Sequence, residues 1–287
     1  MSGLELAQQI AGEIVERNTE PILRFTLEQG GEPGIMESKV GGTPYLPRDM
    51  AWPLDSRGMG MELLAQVDCA VLEGLPDFPH KGLLQFFFGL DDIFGADFDH
   101  MTEQKDFRVL YHETVDRSVT ASEVQAKQAK AAQPEGDRRY FTPLFGAYGI
   151  HFAPAAVQHI NSQDFRAWEQ FLAKWNELHG TGFKTQWDYY RTTKISGEFP
   201  APKEKAPYHQ LGGYPYFTQE DPRSSSGNPI ADLDVLLFQL DSDMLPKEQG
   251  GGDLVLWGDC GVANFFINRE ALKNRDFSRV CYNWDCC

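Results

Sequence analysis

Two short stretches place an amide and a carboxylate two residues apart on what read as strands. LLAQVD at Leu63–Asp68 carries Gln66 and Asp68, and LLFQLD at Leu236–Asp241 carries Gln239 and Asp241. Two carboxylates that reach the same bond can act as general acid and base when their surroundings push their pKa values apart. Convergent amides and acids can instead hold a small ligand or a peptide end. The plainer use is structural: a buried Gln or Asp satisfies backbone groups at a turn of its own half. Thiols form a second set. Cys260 lies in WGDCGVANFF, and Cys281, Cys286 and Cys287 follow it closely enough to meet it in space. Thiolates bind soft metals, but apolar neighbours favour buried, inert thiols. The seven histidines include no HExxH and the cysteines no CxxC, so no metal and no cofactor are expected. Asp91, Asp92, Asp97 and Asp99 surround Gly95 without the spacing of a calcium loop and read as a solvated turn.

The elements that must position these groups alternate between strand and helix patterns. LLAQVD has period two, with Leu63, Ala65 and Val67 on one face and Leu64, Gln66 and Asp68 on the other. LLFQLD repeats it, with Leu236, Phe238 and Leu240 opposite Leu237, Gln239 and Asp241. GLLQFFFGL and DLVLWGD are nearly unbroken apolar runs, which predicts central strands covered on both faces. LELAQQIAGEIVER has the spacing of an amphipathic helix. SQDFRAWEQFLAKWNELHG is another, capped by Ser162 or Asp164, with a core stripe of Phe165, Trp168, Phe171, Leu172 and Trp175 and a stop at Gly180. Ser118–Arg139 reads as a surface helix and loop between the halves, and EDPRSSSGNP and KEQGGGD as flexible loops.

The strand boxes recur in order. Gly42, Pro44 and Tyr45 return as Gly213, Pro215 and Tyr216 at an offset of 171, and the Gln-x-Asp box returns at 173. DFRVLYHETVD is echoed by DFSRVCYNWD, matching Val109 and Tyr111 to Val280 and Tyr282. This predicts an α+β fold built by internal duplication: two similar β-rich halves, about 30–160 and 165–287, with helices packed against them in one compact domain over 1–287. Packed around an approximate twofold, the halves would set Gln66, Asp68, Gln239 and Asp241 along a shared cleft walled by Tyr45, Trp52, Tyr216 and Trp257. Gln85, Trp257 and Asp259 break the repeat and are the better site candidates.

The totals narrow the partner. Forty-two acidic residues against 26 basic ones give a formal charge of −16, which repels phosphate backbones and anionic lipid surfaces. Nucleic acid and membranes are therefore not expected. The first segment has neither a basic start nor an unbroken apolar run, and the odd count of five cysteines does not suit a disulfide framework, so a cytoplasmic protein with reduced thiols is expected.

Taken together, GGTPYLP, AWP, LLAQVD, PDFPHKGLLQFFF, LGGYPYFTQEDPR, LLFQLDSD, LWGDCGVANFFI and YNWDCC resemble the YwqG-like family, a domain of unknown function, from about Gly41 to Cys287. The resemblance implies a duplicated α+β domain and, through toxin and immunity neighbourhoods, a protein-binding role; it carries no catalytic residues. Over four residues, Gly258-Asp259-Cys260-Gly261 also resembles the nucleophile turn of chymotrypsin-like cysteine proteases, which would ask His80 or His112 to be the base. The expected function is binding of a protein, peptide or small molecule. A hydrolase using Asp68 and Asp241, or Cys260, is the alternative.

Overall fold

A computed structural model describes residues 2–137, 141–200, 206–224 and 227–287. The chain starts with helix α1 (Gly3–Arg17), opened by a capping box in which Ser2 accepts from the Glu5 amide and Glu5 accepts in return from Ser2. Strands β1 (Thr19–Glu28), β2 (Lys39–Val40), β3 (Glu62–Asp68), β4 (Leu83–Phe88) and β5 (Phe107–His112) follow. After α2 (Ala121–Gln128) come β6 (Tyr148–Phe152) and β7 (Ala156–His159), then α3 (Phe165–His179) and α4 (Gln186–Thr193). The remainder is β8 (Gln210–Gly212), β9 (Val235–Asp241), β10 (Asp243–Met244), β11 (Asp253–Val255), β12 (Val262–Ile267), α5 (Arg269–Lys273) and β13 (Val280–Asp285).

Eleven strands make one antiparallel sheet in the order β13-β12-β9-β8-β1-β6-β2-β3-β4-β5, with β7 also on β1, and the sheet curls until it is nearly closed into a barrel. The long β1 is the hinge of the arrangement. Its first half pairs with β8 and its second half with β6, so β2 to β5 run out on one side and β8, β9, β12 and β13 on the other. The two free edges meet through side chains: the rings of Phe107 on β5 and Tyr282 on β13 lie 5.3 Å apart, and the Tyr282 amide donates to the Met101 carbonyl. Inside, Phe86, Phe238 and Phe265 from three walls pack with centroids 4.7 to 6.3 Å apart. These flat rings fill a barrel that short aliphatic side chains would leave hollow.

The period-two reading needs correcting at the first two leucines of each Gln-x-Asp strand. The register slips between Leu63 and Ala65 on β3, and between Leu236 and Phe238 on β9, so Leu64 and Leu237 are each the extra residue of a bulge. Leu64, Ala65 and Val67 therefore all belong to the interior, while Leu63 turns outward with Phe87. Likewise Leu237, Phe238 and Leu240 are interior and Leu236 is outside. The last sequence match also shifts. Phe107 sits opposite Phe88 and Val280 opposite Ile267, so Val109 occupies the position of Tyr282, not of Val280.

DLVLWGD is not a central strand. Its residues Asp253–Val255 pair with β10 and, by an isolated bridge at Val255, with Leu144, and the run continues inward so that Leu254, Val255 and Trp257 join the barrel interior; the all-buried central strand is the next one, Val262–Ile267. GLLQFFFGL does form a strand buried along its whole length. Helix α3 is capped by Asp164 and ends on Gly180 at φ 62°, and its aromatic stripe packs against α1 and Tyr189 of α4. Helix α2 lies on the first half rather than between the halves, its Lys127 donating to the Pro47 and Met50 carbonyls. Arg138 and Arg139, at the end of that segment, fall outside the described residues. EDPRSSSGNP, of which Ser225 and Ser226 are not described, carries a buried anchor: Arg223 is 1% exposed, bound to Asp221 at 2.7 Å and stacked 3.9 Å from the Phe266 ring centre. No helix among the described residues is long and apolar enough to cross a membrane.

Candidate functional site at the end of the last strand

The bulges decide what the two Gln-x-Asp pairs can do, because they turn Gln66, Asp68, Gln239 and Asp241 to the outside of the barrel. There the loops after β2 and β8 cover them. Gln66 Oε1 accepts from the Tyr45 amide at 2.9 Å and from Gln85 Nε2 at 2.8 Å, and its Nε2 donates to the Ile35 and Glu37 carbonyls. Gln85 Nε2 also donates to the Tyr45 carbonyl, so its Oε1 is left to accept from His112 Nε2 at 3.0 Å. In the other half Gln239 accepts from the Tyr216 amide at 2.8 Å and donates to the Tyr208 carbonyl, and Asn264 donates to the Tyr216 carbonyl. These groups hold the Pro-Tyr segments against the sheet. Every hydrogen-bonding atom of Gln66 is occupied by protein, which leaves nothing to offer a ligand.

The expected shared cleft does not form. Strands β3 and β9 are five steps apart in the sheet order, about 24 Å along a surface with strands spaced at ~4.8 Å, and their polar faces look outward from opposite walls. Asp68 caps the short helical turn Cys69–Gly74 through the Ala70 amide, whereas Asp241 accepts from the Tyr208 and Ser242 amides, and burial raises its pKa. Two acids so placed cannot flank one glycosidic bond, which needs a separation below about 10 Å. Among the proposed walls, Tyr45, Trp52 and Trp257 are buried and only Tyr216 is partly open, its ring tilted against that of Tyr208 with centroids 4.5 Å apart.

Asp259 and Cys260 fare differently. The turn from Trp257 to Gly261 is closed by the Gly261 amide donating to the Trp257 carbonyl at 2.7 Å, and Ser242 ties it down by donating to the Gly261 carbonyl while accepting from the Trp257 amide. Gly258 has φ 61°, and a Cβ there would meet Cys286 Sγ at 2.6 Å; a Cβ at Gly261 would lie 1.9 Å from the Asp285 carbonyl. Both glycines are needed for the turn to press against the end of β13. Asp259, Cys260 and Cys287 are exposed there. The Cys260 thiol meets the Cys287 thiol at 2.7 Å, not an imidazole. His80 binds the Leu75 carbonyl, and His112 is held by Gln85 and edge-on to Tyr45, its pKa lowered by burial. Neither histidine activates Cys260, so the protease-like turn lacks its base.

Beside this turn, the loop around Phe98 and the outer side of β13 enclose a groove of about 520 Å³ lined by Phe98, Gln219, Glu220, Pro222, Trp284 and Asp285. The Trp284 indole N–H is fixed on the Ile93 carbonyl at 2.8 Å, which sets the ring as a wall. Asp285 accepts from the Thr218 and Gln219 amides, and burial raises its pKa. In the acidic loop, Asp91 and Asp97 close their own turns by accepting from the Ile93, Gly95, Asp99 and His100 amides. This groove was not visible along the sequence because Phe98, Glu220 and Trp284 come from three separate segments; the tryptophan in YNWDCC was its one local signal.

The family model described as "Domain of unknown function (DUF1963)" matches residues 38–286, and so spans both flanks of the sheet and the groove. The chain belongs to this family. No curated protein matches it. The DUF1963 match covers β2 to β13 and leaves α1 and the whole of β1 outside, although β1 joins the two flanks of the DUF1963 sheet.

Proposed function

We propose that this DUF1963 domain is a binding protein whose groove beside Trp284 receives a basic peptide segment. One observation carries the reading: two aromatic side chains, Phe98 and Trp284, and two carboxylates, Glu220 and Asp285, share that groove. A guanidinium or ammonium entering it gains a ring face and a counter-charge together, the pairing that selects cations over neutral groups. The formal charge of −16 speeds the approach of a cationic chain.

The duplication is part of the same reading. The Pro-Tyr segment held by Gln66 and Gln85, then by Gln239 and Asn264, together with the paired bulges at Leu64 and Leu237, supports descent of both flanks from one copied unit. A copied scaffold retains its structural hydrogen bonds twice, whereas the groove occurs on one flank.

Titration with an oligoarginine peptide, followed by tryptophan fluorescence, tests the assignment. Trp284→Ala and Phe98→Ser should each weaken binding roughly two- to thirtyfold, the range of one cation–π contact. Unchanged affinity in Phe98→Ser, an exposed position that folding does not depend on, together with unchanged affinity in Trp284→Ala, would show attraction by net charge alone.

A further inference from the structure

Three thiols and a carboxylate converge where the Trp257–Gly261 turn meets the end of β13. One donor atom each from Asp259, Cys260 and Cys287 lies within 4.8 Å of the others. Cys286 is not one of that set but lies beside it, its Sγ against Gly258. The other two thiols are elsewhere: Cys69 is buried beneath β3, and Cys281 is buried against Phe266 on the outer face of β12.

We propose that this cluster is a zinc site, with Cys260 and Cys287 as thiolate ligands, Asp259 as the oxygen donor, and the neighbouring Cys286 brought in as the fourth ligand by rotation of its side chain. Zinc takes four ligands tetrahedrally, with Zn–S of about 2.3 Å and Zn–O of about 2.0–2.2 Å, which sets neighbouring donors roughly 3.4–3.8 Å apart. That spacing fits inside the observed span once the Cys260 and Cys287 sulfurs, now 2.7 Å apart, separate by about 1 Å. Both thiols sit on exposed backbone that can make this adjustment.

A dication held by thiolates displaces the thiol protons, so metal uptake and proton release go together. The absence of a CxxC pair hid the site from spacing rules. Its ligands come from a glycine-flanked turn and from two adjacent residues beyond a strand end, which sequence separates by 26 positions from Cys260 to Cys286. This zinc site does not depend on the peptide groove.

The test uses the full chain, reduced and metal-free, titrated anaerobically with Zn²⁺ or Co²⁺ alone. The expected result is a one-to-one adduct by native mass spectrometry, release of about three protons per ion, and sulfur-to-cobalt charge-transfer bands. Cys260→Ser and Cys287→Ser should each weaken binding at least about 100-fold, exceeding the loss from removing an outer-shell partner. Cys281→Ala should bind as the parent does. Far-UV circular dichroism checks folding, which the exposed Cys260 and Cys287 positions leave intact. No adduct would overturn the assignment, as would an adduct that survives both serine variants. So would a Cys260–Cys287 disulfide forming readily in a chain whose reduced form takes up no metal.

Discussion

On the first flank of the sheet, Lys39, Gln66, Gln85 and His112 form a polar layer outside the barrel, hydrogen-bonded from Gln66 through Gln85 to His112; the matching positions of the second flank hold Gln210, Gln239, Asn264 and Asp285. Lys39 Nζ donates to the Gly34 and Thr43 carbonyls, and Gln210 Nε2 does the matching work for Gly212 and Tyr214. The layers part at their far end. His112 completes Gln85, but the shorter Asn264 leaves its buried Oδ1 without a partner, and Asp285 turns to the Thr218 and Gln219 amides instead. The first flank is thus sealed by its own side chains. At the matching place on the second, Asp285 is buried yet lines the groove, with the thiols beside it, so the chemistry follows the place where the shared pattern breaks.

The largest test of this contrast concerns the residues that plug the two outer faces. Trp52 fills the first, with its indole N–H on the Met61 carbonyl, and Arg223 fills the second, held by Asp221 and Asp164. Arg223→Met removes the cation from two buried carboxylates and should cost about 3–5 kcal/mol, measured by urea unfolding. Asp164 keeps Arg166 at 2.6 Å, so Asp221 bears most of the loss. A cost below about 1 kcal/mol would mean that the second plug works by packing, as the first does.

How far the sequence reveals such features depends on their range. Helices α1 and α3 were legible because cap, stripe and stop lie within one turn-periodic segment, as Asp164, Phe171 and Gly180 show. The bulges at Leu64 and Leu237 were not, since an inserted residue preserves composition and is visible only against the partner strand. Asp221-Pro222-Arg223 reads as loop because loop residues are polar; that Arg223 is buried depends on Asp164, 59 residues away. For the candidate site, Asp259 and Cys260 were legible as a turn among apolar strands, and Cys286 and Cys287 as thiols that could meet Cys260; that Cys281 is not among them, and that Phe98 forms a wall, depends on tertiary packing.

Lys39 gives an intermediate effect with a defined pH window. Burial pulls its pKa from 10.5 down to about 8, with Glu32 and Glu37 opposing that shift. In this window the unfolded chain holds the proton and the folded chain does not, so stability rises as pH goes from about 8 to 10.5. Buried tyrosines and cysteines, whose pKa values are raised, act in the opposite direction. The measurable quantity is therefore the difference between the parent and Lys39→Gln, which copies the second flank. That difference should shift in the parent's favour by about 2–3 kcal/mol across the window. A flat difference would mean that Lys39 keeps its ordinary affinity for the proton in the fold.

The smallest effect belongs to Asn264, one methylene shorter than Gln85 at the matching position of the first flank. Gln85→Leu strips partners from the Tyr45 carbonyl, Gln66 and His112 at once, and should cost about 3 kcal/mol. Asn264→Leu strips a partner from the Tyr216 carbonyl alone and also removes an oxygen already buried unpaired. Removing an unsatisfied group offsets the loss of a satisfied one, because each has a desolvation cost of similar size. Asn264→Leu should therefore change stability by less than about 1 kcal/mol. Equal costs at the two positions, read from the same denaturant series, would mean that Asn264 is as fully engaged as Gln85 and that the second flank is sealed after all.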